Sequence, residues 1–137
     1  MNFTVEQAQG KVPVTVLGLH GDLDGSNYQE VIAKARQLYQ SGARYLLIDM
    51  THMPYMGSSG LVALHSIALM LRGEQPPDPE SGWGAFHAIA QDRGTGVQPY
   101  LKLLNPQPKV QRTLEMTGMN SFFQIHTDSQ TAIESFG

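Results

Sequence analysis

The sequence predicts one α/β domain over residues 1–137, a mixed β-sheet of four to five strands packed with about four helices. Three observations carry this expectation. Short strand-like runs at residues 12–19, 45–50 and 100–104 alternate with longer segments of helical period. A length of 137 residues suits one domain with a single main core. Apolar residues make up 41% of the chain and charged residues 15%, against roughly a quarter charged in an average domain, so the chain is neither disordered nor a polyelectrolyte.

Taken in order, Phe3 and Val5, then Val12, Val14, Val16, Leu17 and Leu19, alternate around a turn at Gly10 and Lys11, which predicts a hairpin. Ser26 with Gln29 three residues later has capping-box spacing and predicts a helix from Asn27. Tyr28, Val31, Ile32, Ala35 and Leu38 form its apolar face, and Gly42 stands where a left-handed C-terminal cap belongs. The nearly continuous apolar run at residues 45–50 predicts a central strand buried on both faces. A helix is expected from about Leu61 to Arg72, with Ser58 or Ser59 as N-cap and Leu64, Ile67, Ala68 and Leu71 facing the sheet.

Residues 73–97 change character. Pro76, Pro77 and Pro79 stand among five glycines, which is loop chemistry, and the segment reads as a Pro/Gly-rich insert. Residues 85–91 have the composition of one or two helical turns, and Trp83 reads as a local anchor or as a loosely ordered residue rather than one that stacks on a ligand. Beyond the insert come a strand at 100–104, a helix opened by Asn105 and Pro106 and ended by Gly118, a strand at 122–125, and a last helix capped by Asp128 or Ser129.

Composition also excludes functions. Nine basic and twelve acidic residues give a formal charge of −3, so a phosphate backbone gains little from counterion release and no nucleic-acid partner is expected. Without cysteine there are no disulfides, thiolate metal sites or cysteine nucleophiles. The N-terminus lacks the basic and apolar regions of an export signal, and the longest apolar stretch, 61–71, is interrupted by His65 and Ser66. A cytoplasmic protein without membrane insertion is the expectation. The histidines, His20, His52, His65, His87 and His126, are scattered, so surface or cap roles are expected, with no metal and no cofactor.

In α/β sheets functional groups gather at the loops beyond the strand ends. Two loops stand out here: Gly21 to Ser26, and Met56 to Gly60 at a helix start. Amides in a first helical turn lack intrahelical partners and the dipole is positive there, so negative charge added to a serine hydroxyl at that point is stabilised. The same residues also suit a plain N-cap with small neighbours chosen for packing.

At these positions the sequence resembles the STAS domains typified by bacterial anti-sigma factor antagonists. Leu47, Ile48, Asp49 and Met50, followed by Met56, Gly57, Ser58, Ser59, Gly60 and Leu61, resemble the family's strand, phosphorylation loop and helix. Gly21, Asp22, Leu23 and Asp24 resemble its Gly-acidic-Leu-Asp loop, and residues 114–119 the helix end before its last strand. The resemblance implies a non-enzymatic regulatory phosphoprotein that acts in signal transduction and transcription regulation. Ser58 would accept phosphate from an anti-sigma factor of serine kinase type, a serine phosphatase would remove it, and only the unmodified form would bind the kinase. Two features depart from the pattern: Gly57 replaces the acidic residue that often precedes the acceptor, and the 73–97 insert replaces a short crossing.

The partner surface expected from this reading comprises Asp24, Gly57, Ser59 and Gly60 with Val62, Ser66 and Leu69. Rotations of about 100° per residue put Val62, Ser66, Leu69 and Met70 opposite the sheet-facing side, to be covered by a partner or by the insert. Asp24 suits either a role beside the phosphorylation loop or an aspartate turn near Ser26. One alternative function is a phosphorylation-independent STAS scaffold subunit of a signalling or transport assembly. A remote one is a haloacid dehalogenase-like phosphatase using Asp22 and Asp24 with magnesium. Against the latter, a glycine precedes Asp22 and no later acidic pair completes a magnesium site.

Overall fold

The computed structural model describes residues 1–74, residue 89 and residues 97–137. Strand β1 (Asn2–Gln9) pairs antiparallel with β2 (Pro13–His20) along its whole length, from Asn2 opposite His20 to Gln9 opposite Pro13. Strands β3 (Leu46–Asp49), β4 (Leu101–Leu104) and β5 (Ile125–His126) follow in parallel, giving the order β1-β2-β3-β4-β5 with β3 central, as the apolar run at 45–50 predicts. Helices α1 (Tyr28–Gln40), α2 (Ser58–Leu71) and α3 (Pro108–Thr117) make the three crossings, and α4 (Ser129–Glu134) follows β5. The described residues thus form the expected mixed sheet of five strands with four helices.

Period-2 alternation splits the strand side chains between two cores. Leu17, Leu19, Leu46, Ile48, Leu101 and Leu103 face α1, α2 and α3, where Val31, Ala35, Leu64, Ile67, Val110 and Leu114 meet them. Val14, Val16, Leu47 and Leu104 face the other way, onto Ala132 and Phe136 beside α4. Each fully buried side chain of this size contributes about 1.5–3 kcal/mol relative to exposure. The hairpin turn is held under α4: a Cβ on Gly10 would lie 2.6 Å from the carbonyl oxygen of Ile133.

Helix ends depart from expectation in instructive ways. The capping box of Ser26 and Gln29 does not form, because the Ser26 hydroxyl donates to Asp24 Oδ1 at 2.6 Å and Asn27 is the N-cap. Gly42 does end α1, at φ 112°: its N–H donates to Tyr39 O and that of Ala43 to Leu38 O, the pair of bonds of a Schellman motif. Helix α2 starts at Ser58 rather than Leu61, with extended Gly57 as N-cap in place of either serine. Helix α3 starts at Pro108, after Asn105 turns the chain at φ 55°, and Gly118 ends it at φ 77°. Asp128 caps α4 as expected, accepting the Thr131 N–H at 2.8 Å.

Two apolar patterns change meaning. Phe122 and Phe123 are not in a strand: they follow a 3-10 turn (Met119–Ser121) and pack edge to face in the main core, and β5 begins only at Ile125. Helix α2 has no exposed outer side. Val62, Ser66, Leu69 and Met70 are 5, 1, 7 and 8% exposed: Val62 joins the main core, and Ala63 and Met70 pack against Ile32, Tyr28 and Tyr39 of α1. Most of the 73–97 insert, including Trp83 and the helical turns expected at 85–91, lies outside the described residues; Ile89 is buried in the main core.

Candidate functional site

The two loops singled out in the sequence run side by side. Beyond the paired ends of β2 and β3, the Gly21 N–H donates to His52 O at 3.0 Å, the Leu23 N–H to Tyr55 O at 3.0 Å, and the Gly57 N–H to Leu23 O at 2.8 Å. Leu23 and Met56 form a parallel bridge, with both side chains and that of Met53 buried below. The loop before α2 is therefore an extension of the sheet rather than a free segment. On its other flank, Gln107 Nε2 donates to Thr51 O at 2.7 Å and Asn105 Nδ2 to Thr51 Oγ1 at 3.3 Å, while Asp49 accepts from the backbone and hydroxyl of Thr51.

The small residues have specific reasons. A Cβ on Gly60 would collide with Met56 Cγ, lie 2.9 Å from its sulfur and lie 3.2 Å from Leu23 Cδ2, so glycine lets the first turn of α2 settle on the two loops. A Cβ on Gly25 would stand 3.6 Å from Ser59 Oγ, which places the half-buried Ser59 hydroxyl against the first loop. Ser58, the first residue of α2, is exposed. A Cβ on Gly57 would lie 3.5 Å from the hydroxyl of Tyr55, whose side chain lies alongside the cap and stays 47% exposed.

Asp24 belongs to this end of the sheet, and its carboxylate is taken up by Ser26. Its Oδ1 accepts the Ser26 N–H at 2.9 Å and the Ser26 hydroxyl at 2.6 Å, and these bonds hold the carboxyl below the ordinary aspartate value. Asn27 closes the turn, accepting the Asp24 N–H at 3.0 Å and donating to Asp22 O at 2.8 Å. Asp24, Gly57, Ser58, Ser59 and Gly60 are thus gathered on adjoining loops, whereas Val62, Ser66 and Leu69 are buried. Sequence reasoning did not find the stacked pair of His20 and His52, with ring centroids 4.8 Å apart and planes at 15°. The signal lay in topology: His20 ends β2 and His52 follows the C-terminal end of the neighbouring parallel strand β3. Among the described residues no three or more His, Asp or Glu side chains stand close enough to hold a metal ion, and no helix is long and apolar enough to cross a membrane.

The STAS domain model matches residues 5–75, which run from within β1 to just past the end of α2 and include both loops. The chain belongs to the STAS domain family. No curated protein matches it significantly. As a fold, this STAS domain is similar to a Thermotoga maritima protein assigned as an anti-sigma factor antagonist, at TM-score 0.70 and 16% identity over 96% of this chain and 92% of the other. It is also similar to an anti-sigma factor antagonist from Mycobacterium paratuberculosis, at TM-score 0.64 and 16% identity over 96% and 90% of the two chains. A third similar structure is the Bacillus cell fate determinant SpoIIAA in its phosphorylated form, at TM-score 0.53 and 19% identity over 97% of each chain.

Proposed function

We propose that this STAS domain is a regulatory phosphoprotein of the anti-sigma factor antagonist kind, itself without catalytic activity. In this reading an anti-sigma factor of serine kinase type phosphorylates Ser58 in the cytoplasm of a bacterium. The unmodified domain binds that kinase, and a serine phosphatase resets the switch.

The observation that carries the proposal is the position of Ser58. It is exposed at the first residue of α2, while Ser59 is turned toward Gly25, and by resemblance it corresponds to the acceptor of the family's phosphorylation loop. Phosphate there adds about −1.5 to −2 charges next to first-turn amides, which the helix end tolerates. A partner packed on the loop must instead desolvate the phosphate, so the fold survives and the complex does not. The partner surface is drawn on Ser58 and its rim of Asp24, Gly57, Ser59 and Gly60, without the buried Val62, Ser66 and Leu69.

A second reading, a phosphorylation-independent scaffold in a signalling or transport assembly, is favoured by one observation. By resemblance Gly57 replaces the acidic residue that often precedes the acceptor, and the Tyr55 ring lies beside it. Incubation with the kinase captured from the source cell, followed by intact-mass and fragment analysis, separates the two. One added phosphate, on Ser58 and lost in Ser58→Ala, supports the switch; an unmodified chain in a stable complex supports the scaffold.

A further inference from the structure

Lys102 lies in the middle of β4, beside Leu47 of the central strand, and is only 3% exposed. Its ammonium donates to Ser135 O and Ser135 Oγ, both at 2.9 Å, and sits 4.7 Å from the centre of the Phe136 ring. Among the described residues no carboxylate lies within ion-pairing distance of it. A buried cation is therefore held by neutral oxygens and a ring face at the end of α4, and Phe136, its neighbour, fills the second core.

His126, on the adjacent strand β5, reaches the same hydroxyl. Its Nε2 is 3.5 Å from Ser135 Oγ and 3.3 Å from Gln124 Oε1. The single proton of that hydroxyl is directed to Ala132 O at 2.6 Å, so toward both Lys102 and His126 the oxygen offers only lone pairs. We propose that Lys102, Ser135 and His126 form a proton-sensitive latch for α4: protonation of His126 brings a second cation to the hydroxyl already used by Lys102 and releases α4 from the sheet.

The sign follows from the surroundings. Burial and the Lys102 charge both hold the His126 imidazole below its ordinary value of 6.5, and burial lowers Lys102 as well. The docked state resists protonation while the undocked imidazole titrates normally. Docking is thus fully present above 6.5 and weakens as pH falls through the window below it. The nearby carboxylates are Asp128 at the N-cap of α4, bonded to Thr131, and Glu134, bonded to Gln130, and His126 stays below its ordinary value with both present; β3 presents Leu47, and Tyr45 packs edge to face with Phe136.

The test is amide hydrogen exchange of Ala132 and Ser135, corrected for intrinsic rates and referenced to Leu47 and Ile48. It is run from about pH 7.5 to about pH 5.5, which spans the ordinary histidine value, with a nuclear magnetic resonance titration of His126. Protection of α4 is expected to fall severalfold in the wild type and to stay constant in His126→Gln. In Lys102→Met the imidazole value should rise toward 6.5, a shift that a purely structural lysine would not cause. The proposal is overturned by an unchanged protection in the wild type, an equal fall in His126→Gln, or an imidazole value indifferent to Lys102→Met. His126→Gln keeps the question decidable should Lys102→Met not fold, since His126 is only half-buried.

Discussion

The N–H of Gly57 donates to the carbonyl of Leu23 at 2.8 Å, and through that bond the residue that caps α2 is tied to the neighbouring loop. Together with the Leu23 to Tyr55 bond it continues the pairing of β2 and β3 past the last strand residues. On the proposed function, a serine presented on such a frame should keep its position when it acquires a charge. The same frame makes the site sensitive to any added bulk between the loops.

Gly60→Ala is the sharpest test of that sensitivity. The new methyl would strike Met56, whose side chain is fully enclosed, so the sulfur has little room to yield. Overpacking of this kind costs about 1–3 kcal/mol. Denaturant unfolding should show that loss, whereas Gly25→Ala, facing only Ser59 Oγ at 3.6 Å, should change stability much less.

Asp24 is expected to act as a turn residue. Its carboxylate is engaged by Ser26, so Asp24→Asn should lower the melting temperature measurably while leaving the rate of Ser58 phosphorylation near that of the wild type. The pH dependence has a definite sign. The hydrogen bonds hold the carboxyl below 3.8, so their contribution is complete above that value and is lost as pH falls through the lower folded-state value. Asp24→Asn should remove that part of the acid sensitivity, as read from melting curves between neutral and acid pH.

Leu47 is fully buried in the second core, between Val14, Val16, Leu104 and Phe136. Leu47→Ala should cost about 2–5 kcal/mol in equilibrium unfolding. A loss well below that range would mean that α4 collapses into the space left behind.

Where the chain obeys a local rule, the sequence was sufficient: alternation around Gly10, the buried run of β3, the left-handed glycines after α1 and α3, and the Asp128 cap all have near-neighbour causes. Ser58 and its loops were legible because the strand, loop and helix order brings them to one end of the sheet. What was not legible depends on distant partners. The outer side of α2 could not be read, because its burial rests in part on α1, a partner that periodicity does not reveal. Phe122 and Phe123 read as a strand because apolar aromatic pairs suit a sheet as well as a core anchor. Asp24 was undecided until Ser26 was seen to take its carboxylate. The His20 and His52 stack and the shared hydroxyl of Ser135 join residues far apart in the chain, and no spacing announces them.

Calorimetric titration of the kinase-type anti-sigma factor into wild type, Ser58→Ala, Ser58→Asp and the phosphorylated domain, with folding matched by circular dichroism, tests the central claim most directly. The account predicts wild-type affinity for Ser58→Ala and about a hundredfold weaker binding for the phosphorylated form, the consequence of a penalty near 2.8 kcal/mol. Ser58→Asp should fall between, having less charge and fewer acceptor oxygens. Equal affinities for all four forms would contradict it.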